Sequence, residues 1–375
     1  MYISKQDSYE WFRFFAEISE EGEQLTARQS EIALAVLSQI ELAAEKLFEA
    51  EKAKIKQLNS LNNRTIYIGN PKHFPKGCIS CLMGSGLSAI RKTNRCDAAC
   101  PFCYDYGMLD EIPPIGEGMW EIGGTRFREE DLDLLLSIQK KPSGVAYVYL
   151  EPFMEIEKYY SVVKKFNDYG IYQHLYTNGI HARAEQLEAL GKAGLNEIRF
   201  NLGATLCADA IIEKIAVAKR FIPMVGIETP MTLELYDAFL QKKDKILATG
   251  LDFINFAELH LNPNNLVNYE GENLYMYRHG YLSPISSRLH TLKMMQIAEK
   301  ENWDVVIHDC SNRTKFARDL NLKAAEGGWF GQSTYGSEFD SIPFEAFLPV
   351  LSDESFHFIK EEPLPKGYRI GDVVL

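Results

Sequence analysis

Cysteine is the residue type in this chain whose spacing most directly suggests chemistry. Cys96, Cys100 and Cys103 stand at C-x3-C-x2-C in Arg95-Cys96-Asp97-Ala98-Ala99-Cys100-Pro101-Phe102-Cys103-Tyr104. Thiolate is a soft ligand, and clustered thiolates select iron–sulfur clusters or zinc. Three thiolates this close in sequence can hold three irons of a [4Fe–4S] cube and leave the fourth iron open for chemistry. A structural zinc site, or three unrelated buried thiols, would use the same residues. Cys78 and Cys81 form a second tight pair, and Cys310 follows a predicted late strand. Together they are candidates for a second, auxiliary [4Fe–4S] cluster, with zinc and no metal as the alternatives. Cys207 is available as a fourth ligand, although cysteine is also a common buried apolar residue.

The segment around Cys96 resembles the signature of the radical S-adenosylmethionine (radical SAM) superfamily, in which an aromatic precedes the last cysteine; here it is Phe102. The resemblance implies that SAM chelates the open iron and that Phe102 lies near the adenine. One electron then cleaves SAM to a deoxyadenosyl radical that abstracts a hydrogen atom. The family places a Gly-Gly-Glu-Pro segment after the second strand. This chain has Tyr149-Leu150-Glu151-Pro152, keeping Glu151 and Pro152 and lacking both glycines. Glu151 is thus the expected partner of the SAM amino group, with Asn178, Asn201 and Glu228 as polar groups at further strand ends. The chain is similar to a branch nominally linked with pyruvate formate-lyase activating enzymes. The matching stretches are Gly77-Cys78-x2-Cys81, Gln173 to Gly179, Leu187 to Leu190, Ala193 to Phe200, Val225 to Pro230, Asn255 to Leu259 and His308-Asp309-Cys310-Ser311-x3-Lys315.

These residues need a scaffold, and the chain after Cys103 alternates strand and helix. Strands are predicted at 87–93, 144–150, 171–176, 196–201, 223–229 and 251–256, with helices at 129–139, 155–169, 182–193, 208–220 and 233–248. Such alternation implies βαβ units and a parallel sheet buried on both faces. Right-handed crossovers curl six units into an α/β fold, a partial (β/α)6-type TIM-like barrel. Sites in barrels form at the C-terminal strand ends, where the Cys96 loop begins.

The expected division is an N-terminal helical region (1–62), a connector with the C-x2-C motif (63–86), the barrel (87–258), a substrate-side loop, helix and late strand with Cys310 (259–324), and a C-terminal extension (325–375). Within the first region, a short helix is expected at 9–18 and a longer one at 26–58. The latter's apolar stripe contains Ile32, Val36, Ile40, Ala43, Leu47 and Phe48. Residues 260–281 read as a long functional loop. A helix capped by Ser283 follows, then a strand at 304–308, a helix at 314–323, and strands in the tail at 356–360 and 368–375. His174, Glu258, His260 and His308 are candidates to line the cavity.

With 52 acidic against 40 basic residues and a net charge of −12, the chain is a poor general ligand for nucleic acid or anionic membrane. No apolar run reaches the ~18 residues of a membrane span, and the first residues lack a signal-peptide core. The expected setting is cytoplasmic, where thiols serve metals or catalysis rather than disulfides. The expected activity is a radical SAM enzyme with a low-potential electron donor, modifying a ribosomally made peptide delivered by a partner protein. The alternatives are a small-molecule-modifying or glycyl-radical-activating enzyme, or a non-catalytic iron–sulfur or zinc protein.

Overall fold

The computed structural model describes residues 27–61, 65–82, 87–122, 125–138, 144–277 and 281–315, with the short strands at 369–370 and 373–374. In chain order the helix α1 (Ala27–Lys52) leads to a hairpin, β1 (Asn59–Leu61) and β2 (Thr65–Ile68), then to α2 (Lys76–Leu82) and β3 (Leu87–Arg91). After the thiol loop come a second hairpin, β4 (Met119–Ile122) and β5 (Thr125–Arg128), and α3 (Leu132–Ile138). The regular part follows: β6 (Gly144–Tyr147), α4 (Tyr160–Asp168), β7 (Tyr172–Thr177), α5 (Ala184–Ala193), β8 (Glu197–Phe200), α6 (Asp209–Ala218), β9 (Met224–Pro230), α7 (Leu233–Leu247) and β10 (Phe253–Ala257). The late elements are α8 (Pro263–Leu266), the hairpin β11 (Leu274–Tyr277) and β12 (Tyr281–Pro284), α9 (Ile285–Glu301), β13 (Val306–Cys310), β14 (Arg369–Ile370) and β15 (Val373–Val374).

Eleven strands form one sheet in the order β1-β2-β13-β10-β9-β8-β7-β6-β3-β4-β5. The six expected strands are consecutive and parallel, and β13 adds a seventh parallel strand beside β10. The barrel is not closed, because an antiparallel hairpin occupies each edge. Sequential parallel strands joined by right-handed crossovers carry their helices on one face. Gln173 on β7 marks that face, since its amide donates to the Val163 carbonyl of α4 at 2.9 Å. Its neighbour His174 points the other way, as strand alternation requires, and meets α2 there.

Several local expectations change. The 63–86 connector contains β2, whose Thr-Ile-Tyr-Ile run pairs with β13. The Cys78–Cys81 pair sits on a helix rather than in a connector. The 260–281 loop holds α8 and the hairpin strand β11. Ser283 belongs to β12, and Pro284 occupies the N-cap of α9. Helix α1 ends at Lys52 because the following chain turns onto α9, where Glu299 accepts the amides of Lys56 and Gln57. Among its described side chains Ile40, Ala44 and Phe48 are buried, whereas Ala43 and Leu47 of the expected stripe are exposed. That face packs on α9 and β11, with Phe48 edge-on to Tyr275. The expected elements at 9–18 and 356–360, and most of 314–323, lie outside the described residues. Among the described residues no helix is long and apolar enough to cross a membrane.

Candidate functional site

The loop bearing Cys96, Cys100 and Cys103 leaves β3, the first parallel strand, at its C-terminal end. The Cys103 amide donates to the Cys100 carbonyl at 3.0 Å and the Tyr106 amide to the Cys103 carbonyl at 3.2 Å, which folds the loop into consecutive turns. All three thiols are partly exposed. Burial raises each above the ordinary thiol range, Cys100 to about 12, with Cys103 and Cys96 adding to the rise at Cys100. Cys103 and Cys96 thus disfavour the thiolate of Cys100, and Cys103 that of Cys96, so the three are electrostatic neighbours. Among the described residues no three His, Cys, Asp or Glu side chains converge on a single ion position. A four-iron cube places its ligand sulfurs on different irons, so three soft donors spread along one loop suit it as a donor set.

Phe102 is buried at the base of this loop. Its ring lies against Gly203, in the short 3-10 turn after β8; a Cβ there would come within 3.1 Å of the ring and 2.6 Å of Thr229 Oγ1. Thr229 in turn donates to Asn201 Oδ1 at 2.8 Å. Phe102 and Asn201 thus both adjoin the Gly203–Thr229 pair at the ends of β8 and β9.

The strand end after β6 is unusual in its backbone. Tyr149 and Leu150 have φ of 69° and 57°, the left-handed region. Two side-chain-bearing residues there cost about 1–2 kcal/mol each, so the turn has the backbone conformation glycine favours without glycine. Glu151 follows, almost completely buried. Its carboxylate accepts from Thr177 Oγ1 at 2.7 Å and from the amides of Asn178 at 2.7 Å and Phe153 at 3.0 Å. Burial raises its pKa, and these donors offset part of the rise. The Glu151 carboxylate is therefore engaged within the chain and organises two strand ends. Asn178 uses Oδ1 to accept the Ile180 amide at 2.9 Å, closing its turn.

A second polar group fills the face opposite the crossover helices. Register rows align Tyr176 with Arg199, and Glu228 with Asn255, His308 and Tyr67. Arg199 is fully buried, pairs with Glu197 and Glu228, and lies over the rings of Tyr176 and Phe253. Glu228 is thus tied to Arg199. Glu197 also accepts from Tyr172 at 2.6 Å and from the Gly77 amide at 3.2 Å, which anchors α2. Cys78 on α2 accepts from Asn255 Nδ2 at 3.8 Å. Burial pushes the Cys78 thiol well up, opposed by Arg199, and Cys310 is among its charged neighbours. Tyr176 has both Cys78 and Cys81 among its neighbours. The i, i+3 spacing on α2 is what puts the pair on one helix face. Cys207 instead lies in the apolar core, with Lys242 as its charged neighbour.

Three of the remaining candidates, His260, His308 and Glu258, have structural partners. His260 Nδ1 meets the Tyr104 hydroxyl at 2.5 Å, and His308 Nε2 meets Thr65 Oγ1 at 2.6 Å. Glu258 accepts from Tyr275 and from the Asn312 amide. Among the described residues, neither ring nitrogen of buried His174 has a hydrogen-bond partner. Arg199 and the asparagines of residues 262–268 carry more of the site than their sequence suggested. The only signal was the Asn-rich composition of 260–281.

No family model matches the sequence, and no curated protein matches it. Among solved structures the chain is similar to the radical SAM methyltransferase TsrM from Kitasatospora setae, with cobalamin and a [4Fe–4S] cluster bound. The identity is 11% and the TM-score 0.33, over 72% of this chain and 61% of that one. That degree of likeness fixes neither the fold nor the function of this chain.

Proposed function

We propose that the chain is a radical SAM enzyme whose cluster is held by Cys96, Cys100 and Cys103. The observation that carries this reading is the position of the three neighbouring thiols, on the loop leaving the first of six sequential parallel strands. A [4Fe–4S] cluster with one open iron would deliver an electron to SAM there and so supply a hydrogen-abstracting radical. The chain's own part is to hold the loop, to present Phe102 and Asn201 at adjoining strand ends, and to shape the Tyr149–Glu151 turn beside them. Glu151 acts in this reading through the Thr177 and Asn178 turn it organises.

Cys78, Cys81 and Cys310 are the residues for an auxiliary cluster, with Arg199 supplying positive charge beside Cys78. An auxiliary iron without a fourth protein ligand suits a peptide amide or carbonyl, and a peptide delivered by a partner protein is the substrate class we favour. Anaerobic reconstitution followed by iron analysis tests the assignment. Wild type should hold about eight irons, as two four-iron clusters, and the Cys96/Cys100/Cys103→Ala protein about four. Zinc in place of iron would return the chain to a structural metal protein.

A further inference from the structure

The segment 262–269 touches the thiol loop at several points, where four asparagine side chains donate to loop carbonyls. Asn268 Nδ2 donates to the Pro101 carbonyl at 2.9 Å, and Asn265 Nδ2 to the Phe102 carbonyl at 3.2 Å. Asn262 Nδ2 and Asn264 Nδ2 both donate to the Tyr104 carbonyl at 2.9 Å. The orientation of two of these amides is fixed by a reciprocal capping box. Asn262 Oδ1 accepts the Asn265 amide at 3.1 Å, and Asn265 Oδ1 accepts the Asn262 amide at 2.8 Å. With both oxygens engaged at the helix start, both NH2 groups point away from the cap, and that of Asn265 also donates to the His260 carbonyl at 3.3 Å. Tyr269, at the end of the same segment, is largely buried. Among the described residues its hydroxyl has no hydrogen-bond partner, and Glu234, Glu272 and Cys100 are its charged neighbours.

We propose that residues 262–269 form a donor cradle that presets the thiol loop before metal arrives, and that the Tyr269 hydroxyl supplies a hydrogen bond to the Cys100 sulfur once metal binds it. This deepens the iron–sulfur reading and rests on it for the Tyr269 part alone. Tying off the carbonyls of Pro101, Phe102 and Tyr104 fixes the backbone between and beside Cys100 and Cys103. Asn262, Asn264, Asn265 and Asn268 are positioning residues in this account.

Asn265→Asp separates the cradle from the cap, because aspartate still accepts the Asn262 amide but cannot donate to Phe102. Asn268→Ala removes an exposed donor with no capping role, and serves if the first variant fails to fold. In metal-free protein, hydrogen exchange at the Cys103 and Tyr106 amides should rise about three- to tenfold in both variants, the worth of one hydrogen bond. Wild-type exchange rates in either folded variant would overturn the cradle. In reconstituted protein, Tyr269→Phe should make the cluster's reduction potential more negative, since a donor to sulfur stabilises the reduced cluster. An unchanged potential would remove Tyr269 from the cradle. If wild type binds no iron, the iron–sulfur reading fails, yet the metal-free exchange comparison still decides the cradle.

Discussion

The backbone amide of Glu151 donates to the Arg95 carbonyl at 3.1 Å, so the turn after β6 is tied to the residue immediately before Cys96. Two strand ends are thereby locked together where the thiol loop begins. Glu151 secures a third by accepting from Thr177 and from the Asn178 amide.

Glu151→Ala should therefore destabilise the protein as well as disturb the site. It strands buried donors from Thr177, Asn178 and Phe153, and each unsatisfied group costs about 1–3 kcal/mol. Urea unfolding should show a loss of at least about 2 kcal/mol. A stable variant that lost only SAM affinity would mean that the carboxylate faces the ligand.

Tyr149→Gly should leave stability equal or slightly improved. The exposed ring packs little, and glycine removes the left-handed strain of about 1–2 kcal/mol at an entropic cost of about 0.5–1 kcal/mol. Tyr149→Val should do the opposite, because a β-branched residue tolerates positive φ poorly. Chemical denaturation of the pair checks the ordering, and a stabler valine variant would contradict the backbone reading.

Gly77→Ala tests the seating of α2. A Cβ there would come within 2.5 Å of Arg199 Nη2 and of His174 Nδ1, both buried. Overpacking of this kind costs about 1–3 kcal/mol. The variant should unfold at lower denaturant and retain less metal at Cys78 and Cys81. Unchanged stability would show that α2 is free to shift.

His174 makes stability depend on pH. Burial, reinforced by Arg199, depresses its pKa well below the ordinary histidine value. The folded chain then binds fewer protons than the unfolded chain below about pH 6.5. Its contribution is fully present above that pH and is lost as pH falls toward the folded value, by up to about 1.4 kcal/mol per pH unit. His174→Gln should flatten the decline between pH 6.5 and 5 in denaturation curves. An equal slope in both proteins would exclude His174 as its source.

The regular part of the fold was legible because its strands and helices have clear periodicity. The six expected parallel strands, 87–93 through 251–256, correspond to β3, β6, β7, β8, β9 and β10, each within a few residues at its ends. The edge hairpins were not. Asn59–Ile68 and Met119–Arg128 are short, and their pairing partners lie far along the chain, so local pattern carries little of their structure. The helix bearing Cys78 and Cys81 is only seven residues long, and Gly69, Pro71 and Pro75 before it made the stretch read as a connector. The C-x3-C-x2-C spacing marked the thiol loop in the sequence, and the structure sets that loop at the C-terminal end of β3. Arg199 was not, because nothing in Glu197-Ile198-Arg199-Phe200 says that a buried arginine will pair across β8 and β9. The strain at Tyr149 and Leu150 also escaped the sequence, since side-chain-bearing residues rarely adopt that backbone.

The central claim is that the Cys96, Cys100 and Cys103 loop supports reductive cleavage of SAM. The direct measurement is deoxyadenosine formed from SAM by anaerobically reconstituted protein given a low-potential reductant. Wild type should produce it, and the Cys96/Cys100/Cys103→Ala protein should produce none while its Cys78 and Cys81 region still binds iron. Deoxyadenosine formation that persists in the triple variant, or its absence from fully iron-loaded wild type, would contradict the account.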